Sequence, residues 1–156
     1  MRKHIAVVHR IAGGAAFVIM LAFMAGSVAS ELTGDADTIA ATKNAIRWGL
    51  LALIPALAAT GGSGFKLVAG RPKGLAAVKF ARMRIVGANG ILILVPSVLF
   101  LAWKAEHGAL NGWFVTVQAI EYLAGSLNLL LMGLNIRDGM RLGGRLRRAP
   151  AVGTAR

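Results

Sequence analysis

Four apolar stretches of about twenty residues each dominate the sequence: Ile11 to Ser30, Ala45 to Gly62, Ile85 to Trp103 and Trp113 to Asn135. At a rise of 1.5 Å per residue, twenty helical residues cover about 30 Å, the thickness of a hydrocarbon core. A membrane barrel would need many more segments and a sustained period-two alternation, and neither is present. The expected fold is all-α, an integral membrane four-helix bundle.

Composition points the same way. A soluble domain carries about a quarter charged residues; here the share is 15%, with 56% hydrophobic residues in a chain of 156. Mean hydropathy is +0.66. So little polar surface cannot coat a water-soluble globule. Four spans and their turns fill residues 1–148 as one domain, and 149–156 are expected to form a flexible tail. With no cysteine, the chain has no disulfide, thiolate metal site or cysteine nucleophile. Arg2 and Lys3 ahead of an apolar run, with a small-residue exit at Ser27-Val28-Ala29, are also features of a signal peptide. The run is too long for that and three more follow, so an uncleaved first helix is expected.

Charge sets the expected orientation. The net charge of +12 would suggest nucleic acid in a soluble protein, but its placement is lopsided. Both termini and the connection from Ser63 to Arg84 share one side, with 15 basic residues and Asp138 as their one acid. The other side holds Lys43, Arg47 and Lys104 against Glu31, Asp35, Asp37, Glu106 and Glu121. The split is +14 against −2, which places the termini in the cytoplasm by the positive-inside rule. Trp48, Trp103 and Trp113 all fall at the outer ends of their stretches, where indoles sit at headgroup level. The arginines from Arg141 to Arg148 are suited to anionic lipid headgroups on the inner face. Together with the Ala-, Gly- and Arg-rich composition, this reads as a bacterial inner-membrane protein, with lipid rather than nucleic acid as its partner.

The connections are short. Leu32 to Asn44 is expected to be an acidic outer turn and Glu106 to Gly112 a tight one. The glycines of Gly61-Gly62-Ser63-Gly64 are expected to end the second helix; a phosphate-binding loop would need a Gly-Lys-Ser/Thr ending that is absent. Pro55 and Pro96 are expected to kink the second and third helices.

Polar residues inside the stretches carry the functional candidates. In the fourth, Gln118, Glu121, Gly125, Asn128, Met132 and Asn135 recur at intervals of three and four, so they share one helix face. The first shows a matching stripe of His9, Gly13, Ala16, Met20, Phe23, Ser27 and Ser30. Antiparallel packing of the two would bring His9 to the depth of Asn135 and Ser27 to that of Glu121. Two readings stand for the fourth stretch: interhelical hydrogen bonding, or a ligand or ion pathway. Glu121, about 12 Å deep, needs a cation or a proton. Arg47 is the expected partner, Lys43 the weaker choice, and Glu31 a competitor for the same cation. Asn89 completes the set of candidate polar residues.

His9, followed by Arg10 and Gly13-Gly14, resembles the entry of a haem-binding helix in b-type membrane cytochromes and PepSY-associated membrane helices. The resemblance spans one helical turn. It implies haem b with His9 as an axial ligand, and a second ligand is then required. His107 lies a full membrane away, leaving Met83 and Met132 at a suitable depth. The bland alternative is an interfacial histidine.

No paired carboxylates, metal motif or nucleophile elbow points to an enzyme. The leading expectation is a non-enzymatic helper or binding subunit packed against a larger membrane partner or a second copy. The alternatives are a cytochrome or quinone-linked carrier using His9, and a small transporter or oligomeric channel using the Glu121–Asn128 stripe.

Overall fold

The computed structural model describes residues 2–68 and 73–148. The expected tail, 149–156, and residues 69–72 of the second connection lie outside them. Among the described residues the chain is helical throughout, with no strand. Helix α1 covers Arg2–Thr33, α2 Ala36–Val68, α3 Leu75–Asn89, α4 Val95–Glu106 and α5 Gly112–Arg148. A single π-helical segment, Gly90–Leu94, joins α3 to α4, so these two form one continuous rod. Four helical rods are long and apolar enough to cross a membrane.

Each rod is longer than its apolar stretch. Thirty-two residues of helix measure about 48 Å, well beyond a hydrocarbon core of about 30 Å, so the polar ends continue the helices instead of forming loops. The expected turn from Leu32 to Asn44 therefore shrinks to Gly34 and Asp35, and Lys43 becomes an interior residue of α2. Gly34 ends α1 in the left-handed conformation, φ +71°, and Asp35 starts α2 by accepting the Thr38 N–H at 3.0 Å. The bond from the Thr38 hydroxyl, followed by that from the N–H, holds the Asp35 carboxyl below its ordinary pKa. At the next hairpin Gly108 takes φ +63° and the Asn111 side chain accepts the Phe114 N–H.

The glycine cluster does not end α2. The helix runs through it to Val68, with the Thr60 and Ser63 hydroxyls bonded back to the Ala56 and Ala59 carbonyls. α2 also runs on through Pro55. Pro96, by contrast, lies two residues after the end of the π-helical segment, where the Val95 N–H bonds to Gly90 O. Proline crowds the carbonyl four residues back and offers it no N–H, so the widened turn is where the strain is taken up.

The rods alternate in direction and close a ring: α1 packs on α2 and α5, α2 on α4, and α3 and α4 on α5. The centre is filled by Ala16, Met20, Ile46, Leu50, Leu53, Val86, Val98 and Met132. A second cluster of Ile39, Leu101, Ala105 and Phe114 closes the end that carries the two tight hairpins. That end is the hairpin end, and the opposite one, where α1 starts and α5 finishes, is the terminal end. The outer surface is equally apolar: Leu51, Ile91, Leu92 and Leu123 are all more than 70% exposed. A bundle that is oily inside and outside has nothing to gain from water on its flanks.

Candidate functional site

At the hairpin end the spacing of three helices converges on one ammonium. Ser27 and Glu31 lie one turn apart on α1, and Phe114, Gln118, Glu121 and Tyr122 follow the three-four rhythm on α5. Lys43 of α2 enters between them and is 2% exposed. Its Nζ donates to Ser27 Oγ and Gln118 Oε1, lies 3.0 Å from Glu31 Oε1 and 3.6 Å from Glu121 Oε2. An ammonium has three donors and four acceptors compete for them. The Gln118 amide resolves the competition by donating to Glu121 Oε2 at 2.9 Å, so Glu121 is held both by charge and through Gln118. The Phe114 and Tyr122 rings lie 5.8 and 5.9 Å from Nζ, within cation–π range. The Ser27 and Tyr122 hydroxyls are 3.3 Å apart, and either can donate.

This arrangement corrects one expectation directly. Arg47 is not the partner of Glu121: its guanidinium pairs with Glu106 at 2.8 Å, toward the surface. The reason is the helical start of α2 at Ala36, which carries Lys43 inside the bundle and leaves Arg47 facing the α4 end.

Below this cluster the α5 face continues. Asn128, buried, donates to Val86 O at 3.2 Å and accepts from Asn89 Nδ2 at 2.8 Å; Asn89 also donates to Ala124 O. These bonds straddle the residues just before the π-helical segment. Asn135 donates to Lys79 O at 3.3 Å, while its own Oδ1 is buried without a hydrogen-bond partner. Asp138, 3% exposed, accepts from Arg82 at 2.7 Å and lies 3.4 Å from Arg137 Nε. From Gln118 to Asp138 the ladder is about 30 Å long.

His9 lies apart from this ladder. It faces α2, not Asn135, because the α1 stripe divides between two neighbours. His9, Gly13 and Phe23 face α2, where they meet Thr60 and Gly49; Ser27 meets Tyr122 on α5, and Met24 and Phe17 lie against Gly125 and Gly133. His9 Nδ1 lies 3.0 Å from Thr60 O and 3.1 Å from Ser63 Oγ. A carbonyl can only accept, so Nδ1 is the donor in that bond. The ring edge packs on Gly64, where a Cβ would come within 3.1 Å of Cε1. Met132 is packed in the central core. The bond fixes His9 as a tie between α1 and α2.

The Lys43 cluster therefore joins two residues singled out by sequence, Gln118 and Glu121, with Ser27 and Glu31. Lys43, the weaker of the two expected cations, is the one that Glu121 meets, and Tyr122 joins it without having stood among the sequence candidates. The signal for Lys43 was its position seven residues into α2, on the Ile39–Lys43–Ile46–Leu50 face that turns inward. Asp138 was counted only as a charge. Among the described residues no group of three His, Asp or Glu side chains is placed to hold a metal ion. Chemically the cluster offers charge, hydrogen bonds and aromatic faces, with no activated nucleophile. Comparison with known protein families, with curated proteins and with solved structures finds no match.

Proposed function

We propose that the chain is a bacterial inner-membrane protein with four spans and both termini in the cytoplasm, working as a non-enzymatic helper or binding subunit beside a larger membrane partner or a second copy. One observation carries the reading. Gln118, Glu121, Asn128, Asn135 and Asp138 on α5 are each tied to another helix of the same chain. A stripe used in this way is the glue of a rigid bundle, and the apolar outer faces are left for lipid and for a partner helix. The charge split of +14 against −2 and the exposed Trp48, Trp103 and Trp113 at the hairpin end support the orientation. Anionic headgroups suit the basic terminal end.

A test is gentle purification from native membranes, read by a visible absorption spectrum and by the proteins that come with it. A colourless protein with a stoichiometric partner is expected. A Soret band would overturn the helper reading in favour of haem at His9.

A second reading, a small transporter or oligomeric channel, draws on the charge count at the hairpin end. One buried ammonium serves two carboxylates, leaving room for one more positive charge. Proton or cation flux in liposomes, lost in Glu121→Gln with the fold intact, would favour it over the helper reading.

A further inference from the structure

At the terminal end, residues of α1 and α2 line a surface groove of about 390 Å³. Its size falls at the lower end of the range for small-molecule sites. Ile5 and Val8 line it from α1, and Ala59, Gly62 and Ser63, which carry little side chain, line it from α2. His4 and Lys66, both exposed, complete the lining. The sequence builds this opening twice over. Glycine at position 62 leaves empty space: a Cβ there would meet nothing within 4 Å. The His9 bonds to Thr60 O and Ser63 Oγ meanwhile hold the two helices in register beside the groove, so it does not collapse.

The chemistry of the lining is divided. Its body is aliphatic, and its polar edge offers an ammonium and an imidazole. Among the described residues no carboxylate of this end answers Lys66, because the single acidic side chain there, Asp138, is held by Arg82 and Arg137 on the α3–α5 side. An aliphatic trough ending in uncompensated positive charge matches a phospholipid with an anionic headgroup. We infer that this groove is a specific site for one such lipid, with its phosphate at Lys66 and His4 and an acyl chain along Ile5, Val8 and Ala59. The inference rests on the membrane reading above and gives its lipid partner a particular place on the protein.

The test uses the full chain in detergent, titrated with dioleoyl phosphatidylglycerol, dioleoyl phosphatidylcholine or free glycerol phosphate. The readouts are thermal unfolding and lipid retained in native mass spectrometry. Phosphatidylglycerol is expected to raise Tm and to be retained; the zwitterionic lipid and free glycerol phosphate are not. Gly62→Phe fills the groove from a helical position with open space around it, and should lose the response. Gly61→Phe, equally unobstructed and outside the lining, should keep it. Lys66→Gln, on the surface and harmless to folding, should weaken the titration about five-fold, the effect of one cation near an anionic surface. Equal responses to both lipids, or a full response in Gly62→Phe, would overturn the site. A response to glycerol phosphate alone would overturn the lipid as its occupant. Failure of the membrane reading looks different: the wild-type chain would then not incorporate into liposomes of either composition.

Discussion

Lys43 on α2 and Glu121 on α5 approach to 3.6 Å inside the apolar body of the bundle, where neither charge could be left alone. Removing one partner of a buried pair costs about 3–5 kcal/mol, because the survivor keeps its desolvation penalty. Lys43→Met strands both Glu31 and Glu121 and should be the most damaging single change at this end. Adding Glu31→Gln and Glu121→Gln to it should recover most of the loss. The Arg47–Glu106 pair is about a third exposed on each side, so Arg47→Leu should cost at most about 1 kcal/mol. Detergent melting curves of the single, triple and Arg47 variants decide this. Strictly additive losses would rule out the pair.

Two glycines make opposite demands on their neighbours. A Cβ on Gly49 would sit 2.3 and 2.7 Å from two atoms of the rigid Phe23 ring, at the α1–α2 contact. On Gly125 it would meet Met24 Cε at 2.6 Å, the far end of a flexible side chain. Overpacking a tight contact costs about 1–3 kcal/mol, whereas a methionine tip can swing aside. Gly49→Ala should therefore lower Tm clearly, and Gly125→Ala much less. Equal melting temperatures for the two would show that the Phe23 ring moves as freely as Met24.

The α5 face was legible in the sequence because three-four spacing of polar residues in an apolar run has few structural meanings. Gln118, Asn128 and Asn135 are all buried on it. What the spacing could not reveal was the partner across the gap. That depends on where each helix starts, and hydropathy locates the oily centre of a helix better than its ends. Extending α2 back to Ala36 brought Lys43 inside and left Arg47 outside. His9 faces α2 instead of α5 for a related reason: a stripe on one helix cannot say which neighbour it meets. The π-helical segment before Pro96 was foreshadowed only as a kink, since the sequence marks the strain and not the way it is taken up.

The Asn89–Asn128 bridge sits at the middle of the ladder, where three side-chain bonds join α3 to α5. Interhelical hydrogen bonds in membranes are worth about 0.6 kcal/mol each. Asn128→Leu, alike in branching though bulkier, loses the bonds to Val86 O and Asn89, so a cost of about 1 kcal/mol is expected from the lost bonds. Asn89 retains Ala124 O and the fold should persist. A loss on the scale of the Lys43 change would mean that Asn128 does more than tie two helices, and would redirect attention to the pathway reading.

Orientation can be tested because the chain has no cysteine, so each one introduced is a unique label. Position matters: Gly74 and Gly108 have φ of +58° and +63°, and a cysteine at either would strain its turn. Asp37 and His107 at the hairpin end and Lys73 at the terminal end are exposed and free of that constraint. In intact cells an impermeant thiol reagent should label Asp37→Cys and His107→Cys, while Lys73→Cys should react only after permeabilisation. The physical basis is that moving the terminal-end cations outward would oppose the positive-inside bias of insertion. Labelling of Lys73→Cys alone would invert the topology. It would also place the Lys43 cluster nearer the cytoplasm and Asp138 nearer the exterior.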